Sequence, residues 1–202
     1  MKQFLFLITL LSINFFVTGQ QTDLTLTKGT KLTYEVEQGT KAYQFIMKIT
    51  ELGKTVSFDW EMTAPINKSG SVKMTAEAMK SATALFNYFN DGQTVLAEET
   101  SAFISRDAYK SIEDNKSVTL SANGKNGAAE LFEVLNSSTS EKSGSFYIDY
   151  IKPVNGKDLT FETHILENAD GKKAIRVWKN AEFPLIIFME TDFKIYLTSI
   201  EQ

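Results

Sequence analysis

The chain has 202 residues, 43% of them hydrophobic, 12% aromatic and 23% charged, with 21 Lys+Arg against 25 Asp+Glu and a net charge of −4. No cysteine and a single histidine exclude disulfides, thiolate nucleophiles, Cys-ligated zinc, iron–sulfur clusters and any site that needs two imidazoles. The acidic balance argues against nucleic acid, whose phosphates call for clustered basic residues, and low Pro and Gly with ample aromatics exclude a disordered or collagen-like chain.

The N-terminus reads as an address. Met1-Lys2 gives a short positive start, Phe4–Val17 is an uncharged apolar run, and Val17-Thr18-Gly19 places small or modest residues before Gln20. This is the three-part pattern of a secretory signal peptide over residues 1–19, and the run is short for a membrane span. An uncleaved N-terminal anchor is the alternative. No cysteine follows the run, so a lipid anchor on an N-terminal Cys is excluded. Residues 20–202 hold no second long apolar segment and no linker, and are expected to form one β-rich domain, soluble in the periplasm or outside the cell.

The strongest periodicity along that domain is two. Lys31–Glu37 alternates Leu32, Tyr34 and Val36 against polar neighbours, and Tyr43–Ile49 and Val56–Met62 do the same. Gly53-Lys54 and Asn67-Lys68-Ser69-Gly70 turn the chain between such runs, the second leading into Val72, Met74 and Ala76. These are hairpin-linked strands with one apolar and one polar face. The middle differs: Met79, Ala82, Leu85 or Phe86, and Phe89 recur at helical spacing until Asn90-Asp91-Gly92, and Ser105 is a good N-cap for a helix over Arg106–Glu113. Residues Asn123–Gly127 and Asn136–Gly144 read as loops. Strand grammar then returns at Phe146–Ile151, which ends in Pro153-Val154-Asn155-Gly156. It continues with alternating Leu159, Phe161, Thr163 and Ile165, the Asp170-Gly171 hairpin turn, Ile175–Trp178, Phe183–Met189 and the final Phe193, Ile195, Leu197. Phe183–Met189 is unbroken and apolar, as expected of a strand buried on both faces. The expected fold is mainly β: a large twisted antiparallel sheet, an open half-barrel, with two short inserted helices covering one face.

No motif names a reaction. If Thr163 and Ile165 face inward, His164 faces outward; alone there it is a surface or pairing residue, or a general base, and no G-x-S-x-G elbow supplies a nucleophile. Asp59 and Glu61 share the polar face of one strand and Glu98-Glu99 are adjacent, but exposed acid pairs are the norm on strand surfaces. No calcium-binding loop occurs, and neither a metal nor a cofactor is expected. Asn-x-Ser matches stand at Asn67, Asn115 and Asn136. Arginine occurs only at Arg106 and Arg176. At the start of a helix, Arg106 opposes the dipole, which points to a carboxylate partner or to an anionic ligand headgroup. Phe58, Trp60, Phe86, Phe89, Phe103 and Tyr109 form either an ordinary core or, with a curved sheet only partly filled, the lining of an apolar cleft under a helical lid.

Successive hairpins (KLTYEVE, VSFDWEM), an aromatic-rich inserted helical part and final strands (FPLIIFM, FKIYLTSI) behind a signal peptide resemble, in layout, the open half-barrels of bacterial periplasmic lipoprotein carriers of the LolA/LolB type. The chain is also similar to uncharacterised secreted β-rich bacterial proteins that end in a Pro-Leu-Ile strand and an F-x-I-x-L strand. Export, alternating strands and the aromatic middle segment point to a non-enzymatic binding protein for a hydrophobic or amphipathic, lipid-like ligand in the cell envelope. Phe58, Trp60, Phe86, Phe89 and Phe103 would line its cleft and Arg106 would meet an anionic head. A structural or assembly protein that docks another envelope protein through its sheet is the alternative.

Overall fold

The structure, a computed structural model, describes residues 25–135, 150–151, 159–160 and 162–202. The leader at 1–19, the loop at 136–144, the turn at 153–156 and Phe161 lie outside the described residues, as does all but Tyr150–Ile151 of the strand expected at Phe146–Ile151.

Alternation produces strands where it was strongest. They are β1 (Lys31–Gln38), β2 (Lys41–Leu52), β3 (Val56–Met62) and β4 (Lys68–Met74), followed by helix α1 (Ala76–Ser81). Short strands β5 (Ala84–Leu85), β6 (Gly92–Leu96) and β7 (Glu99–Thr100) lead to α2 (Arg106–Asn115), β8 (Ser117–Leu120) and β9 (Glu130–Val134). Then come β10 (Tyr150–Ile151), β11 (Leu159–Thr160), β12 (Thr163–Asn168), β13 (Ala174–Trp178), β14 (Ile186–Glu190) and β15 (Lys194–Glu201).

Eleven of these strands form one open sheet in the order β6-β4-β3-β2-β1-β15-β14-β13-β12-β9-β8. Every neighbouring pair is antiparallel except β4 and β6, which run parallel with α1 between them. The first and last strands meet in the middle, with Lys31 opposite Glu201 and Glu37 opposite Lys194. That pairing joins the two halves of the chain into a single sheet, as the open half-barrel expectation requires.

One face collects the core. Tyr34 opposes Phe45, Met47 opposes Trp60 and Phe58 opposes Val72; on the other side of β1, Val36 opposes Ile195, which opposes Met189. Met189 opposes Ile175 and Ile175 opposes Leu166, so the apolar stripe runs from β4 to β12. Both helices lie over this face. The Thr75 and Ser105 hydroxyls cap α1 and α2 by accepting from the amides of Ala78 and Ala108. Met79 of α1 enters the cluster beneath β1–β4, and Ala108, Tyr109 and Ile112 of α2 enter the cluster beneath β8, β9 and β12–β14. The sides of β3 and β2 facing away carry Asp59, Glu61 and Lys48, all exposed.

Three local expectations are corrected. Ala76 does not continue β4 but begins α1, because Thr75 caps there. The helical spacing from Met79 to Phe89 holds only to Ser81. From Ala84 the chain is extended, held by bonds from the Leu85 amide to the Ser121 carbonyl (2.9 Å) and from the Phe86 amide to the Thr100 carbonyl (2.7 Å). Long-range backbone pairing overrides a spacing that also fits an extended chain. Finally, His164 faces inward, not outward: it pairs with Val177 on the core face and is 6% exposed, in phase with fully buried Leu166. Of the Phe183–Met189 run, Leu185, Ile186, Ile187 and Met189 are buried, so consecutive residues are covered on both faces as expected.

A cleft where the sheet splits

β14 and β15 are paired only over Phe188–Glu190 and Lys194–Tyr196, although β15 continues along β1 to Glu201. The edge that β15 leaves behind is taken by the segment before α2. The Ile104 amide donates to the Pro184 carbonyl (3.1 Å), the Ile186 amide to the Ala102 carbonyl (2.8 Å), and Phe103 bridges to Leu185. Ala102 reaches this geometry with φ 60, a left-handed conformation costly for a residue with a Cβ. From the other side of the split, the Tyr34 hydroxyl donates to the Ile186 carbonyl at 3.0 Å. Burial pushes the Tyr34 phenol far above its ordinary pKa, so it remains a neutral donor.

Over this split lies a cleft. Tyr34, Val36 and Phe45 line it from the first half of the sheet, and Ile186, Met189 and Ile195 from the second. Its atom-free space is about 580 Å³, part of it open to solvent, of which the centres of water-sized spheres can occupy about 60 Å³. Among the described residues no charged side chain lines it; the polar groups are Tyr34, Tyr43, Asn87 and Ser101. Its cover is not a helix but an extended strap, residues 84–91, made of β5 and the segment after it, which contributes Leu85, Asn87 and Phe89. The strap is fastened by the Asn87 amide to the Ala122 carbonyl, by Lys68 to Asn90 (3.3 Å) and by the Ser69 amide to Asp91 (2.9 Å).

The sequence-expected site residues separate. Phe89 lies in the cleft, with its ring 4.7 Å from Phe45, 5.1 Å from Trp60 and 5.3 Å from Phe86. Trp60 lies beneath as part of the core, stacked on Phe45, and its indole N–H is buried with no hydrogen-bond partner among the described residues. Phe86 packs edge to face on Phe89 against the same core cluster and also borders a second hollow. Phe58 and Phe103 are fully buried in the core and line neither space. Arg106 also stands apart: its guanidinium donates to the Gly53 carbonyl at 2.8 Å and ties α2 to the β2–β3 turn. Arg176 is buried on the far face with its guanidinium 5.8 Å from the centre of the Phe188 ring.

His164 belongs to a different constellation. Its Nε2 meets Glu113 Oε1, which also accepts from the Tyr109 hydroxyl at 3.1 Å, and the Tyr109 and His164 rings are 5.7 Å apart, edge to face. Glu113 is held below the usual carboxylate range, first by its bond to His164; burial, and then Glu113, raise the Tyr109 phenol. The trio clamps α2 onto β12. Among the described residues no group of His, Asp and Glu is arranged to hold a metal.

Sequence reasoning named the apolar faces of the strands but missed Tyr34, Ile186, Ile195, Ser101 and Ala102 as cleft residues. They come from elements far apart in the chain, and only the β1–β15 pairing and the split bring them together. Comparison of the chain with models of known protein families, with curated proteins and with solved structures finds no match.

Proposed function

We propose that the chain is a non-enzymatic binding protein that holds a hydrophobic or amphipathic, lipid-like ligand in the cleft above the β14–β15 split. The observation that carries this reading is a recess between two halves of one sheet, lined by Tyr34, Val36, Phe45, Ile186, Met189 and Ile195 and, among the described residues, free of charged side chains. Sites for apolar ligands have this composition, an apolar lining with few polar fixtures. The ligand portion inside the cleft is uncharged. The same reading keeps the signal peptide at residues 1–19 and release into the periplasm or medium. It also keeps the layout likeness to periplasmic lipoprotein carriers, as an analogy of shape. Among the described residues no helix is long and apolar enough to cross a membrane.

Titration with a fluorescent monoacylglycerol tests it. The expected result is saturable binding that Met62→Trp, which enlarges a side chain lining the cleft, weakens at least about tenfold, a loss of roughly 1.4 kcal/mol. Binding that is absent, or equal in the variant, contradicts the reading. The second reading, docking of another envelope protein by strand addition, draws on β6, the last strand at one end of the sheet, whose Val95 is 61% exposed.

A further inference from the structure

The strap borders two spaces. Leu85, Asn87 and Phe89 line the cleft, whereas Tyr88 and Phe86 border a second hollow completed by the loop Asn123–Gly127 and by Glu99. Its volume is about 460 Å³ and it is open to solvent. Glycine keeps it open. A Cβ at Gly124, whose φ is +79, would stand 3.2 Å from Glu99 Oε1 and 3.6 Å from Tyr88 Cε2. The Ser121 hydroxyl and the Gly127 amide both bond the Gly124 carbonyl, the latter at 3.0 Å, so the loop is internally held.

We propose that this hollow binds a neutral saccharide. Tyr88 is 63% exposed and borders the hollow, so its ring offers flat apolar surface of the kind that meets the C–H face of a sugar ring. Around the rings stand amides that both donate and accept. Asn126 has no hydrogen-bond partner among the described residues, and Asn123 spends its Nδ2 on Asp192 at 2.8 Å, which leaves its carbonyl oxygen to accept. Such a set suits vicinal hydroxyls. Other ligand classes fit less well. An acyl chain would bury amide and charged groups without partners. An anion would meet Glu99, and the Lys125 ammonium is already 3.5 Å from Glu98. A peptide strand needs free main-chain groups, but the amides of Leu85, Phe86, Lys125 and Gly127 are all bonded.

The site is independent of the cleft reading, and the experiment keeps them apart. Maltotriose, cellotriose and chitotriose are each titrated into the intact protein by calorimetry, with saturation-transfer NMR to detect weak contact. At least one is expected to bind; Tyr88→Ala and Asn126→Ala each weaken that binding at least about tenfold, while monoacylglycerol binding and Met62→Trp leave it unchanged. Tyr88 is exposed and makes no hydrogen bond among the described residues, so its removal leaves the fold intact. Absence of binding by all three sugars, binding that survives Tyr88→Ala, or binding lost in Met62→Trp overturns the proposal.

Discussion

Single side chains decide how the split in the sheet is held. Tyr34 caps a carbonyl that would otherwise lack a β15 partner, and its hydroxyl is buried with its acceptor. Tyr34→Phe therefore leaves the Ile186 carbonyl unpaired, and urea unfolding should register a loss of about 1–2 kcal/mol with an unchanged slope. Glu113 makes the fold acid-sensitive. Its folded pKa is depressed, so the stabilisation is present above the carboxylate's unfolded pKa and is lost as pH falls through the folded one. The carboxylate is 44% exposed and solvent screening keeps the effect small. Urea midpoints across the acidic range should accordingly fall less steeply in Glu113→Gln than in the parent; parallel curves would contradict this role. At this scale His164 was misplaced from sequence because Ile165 was taken as the inward residue. Leu166, two positions from His164, carried the opposite phase and could have corrected it, since strand neighbours two apart share a face.

At the scale of elements, the hairpins were legible because alternation, turn residues and strand length agreed. β3 has the bounds its Val-Phe-Trp-Met spacing implies, and α2 starts at the cap Ser105 provides. The middle was not legible in the same way. Positions 79, 82, 85 or 86 and 89 match a helix, yet the same stretch also fits an extended chain, in which 85, 87 and 89 line the cleft and 86 and 88 border the second hollow. Partners far away, Thr100 and Ser121, chose between them. The β4–β6 crossing rests on glycine: a Cβ on Gly70 would lie 2.2 Å from the Gly92 carbonyl oxygen and 2.9 Å from Trp60 Cζ2. Gly70→Ala should cost about 2 kcal/mol or more, read as a lower thermal midpoint, because backbone must move to relieve it. Ser105→Ala should cost about 1 kcal/mol through the lost cap of α2.

For the molecule as a whole, sequence indicated a large antiparallel sheet with helices on one face, and the structure has it. What sequence could not indicate was strand order. Nothing local in Lys31–Gln38 or Lys194–Glu201 says that the first and last strands pair, and that pairing places Tyr34 and Val36 beside Ile186 and Ile195. The candidate site was therefore only partly legible: Phe89 was found and Trp60 came close, whereas Phe58 and Phe103 are core and Arg106 serves the β2–β3 turn. If the cleft over the split carries an apolar ligand, as proposed, native mass spectrometry of the parent protein and of Met62→Trp, each purified from its own cells, should find an added mass on the parent that organic solvent removes and that the variant lacks. Bare protein in both, or the same added mass on both, would sink the proposed function.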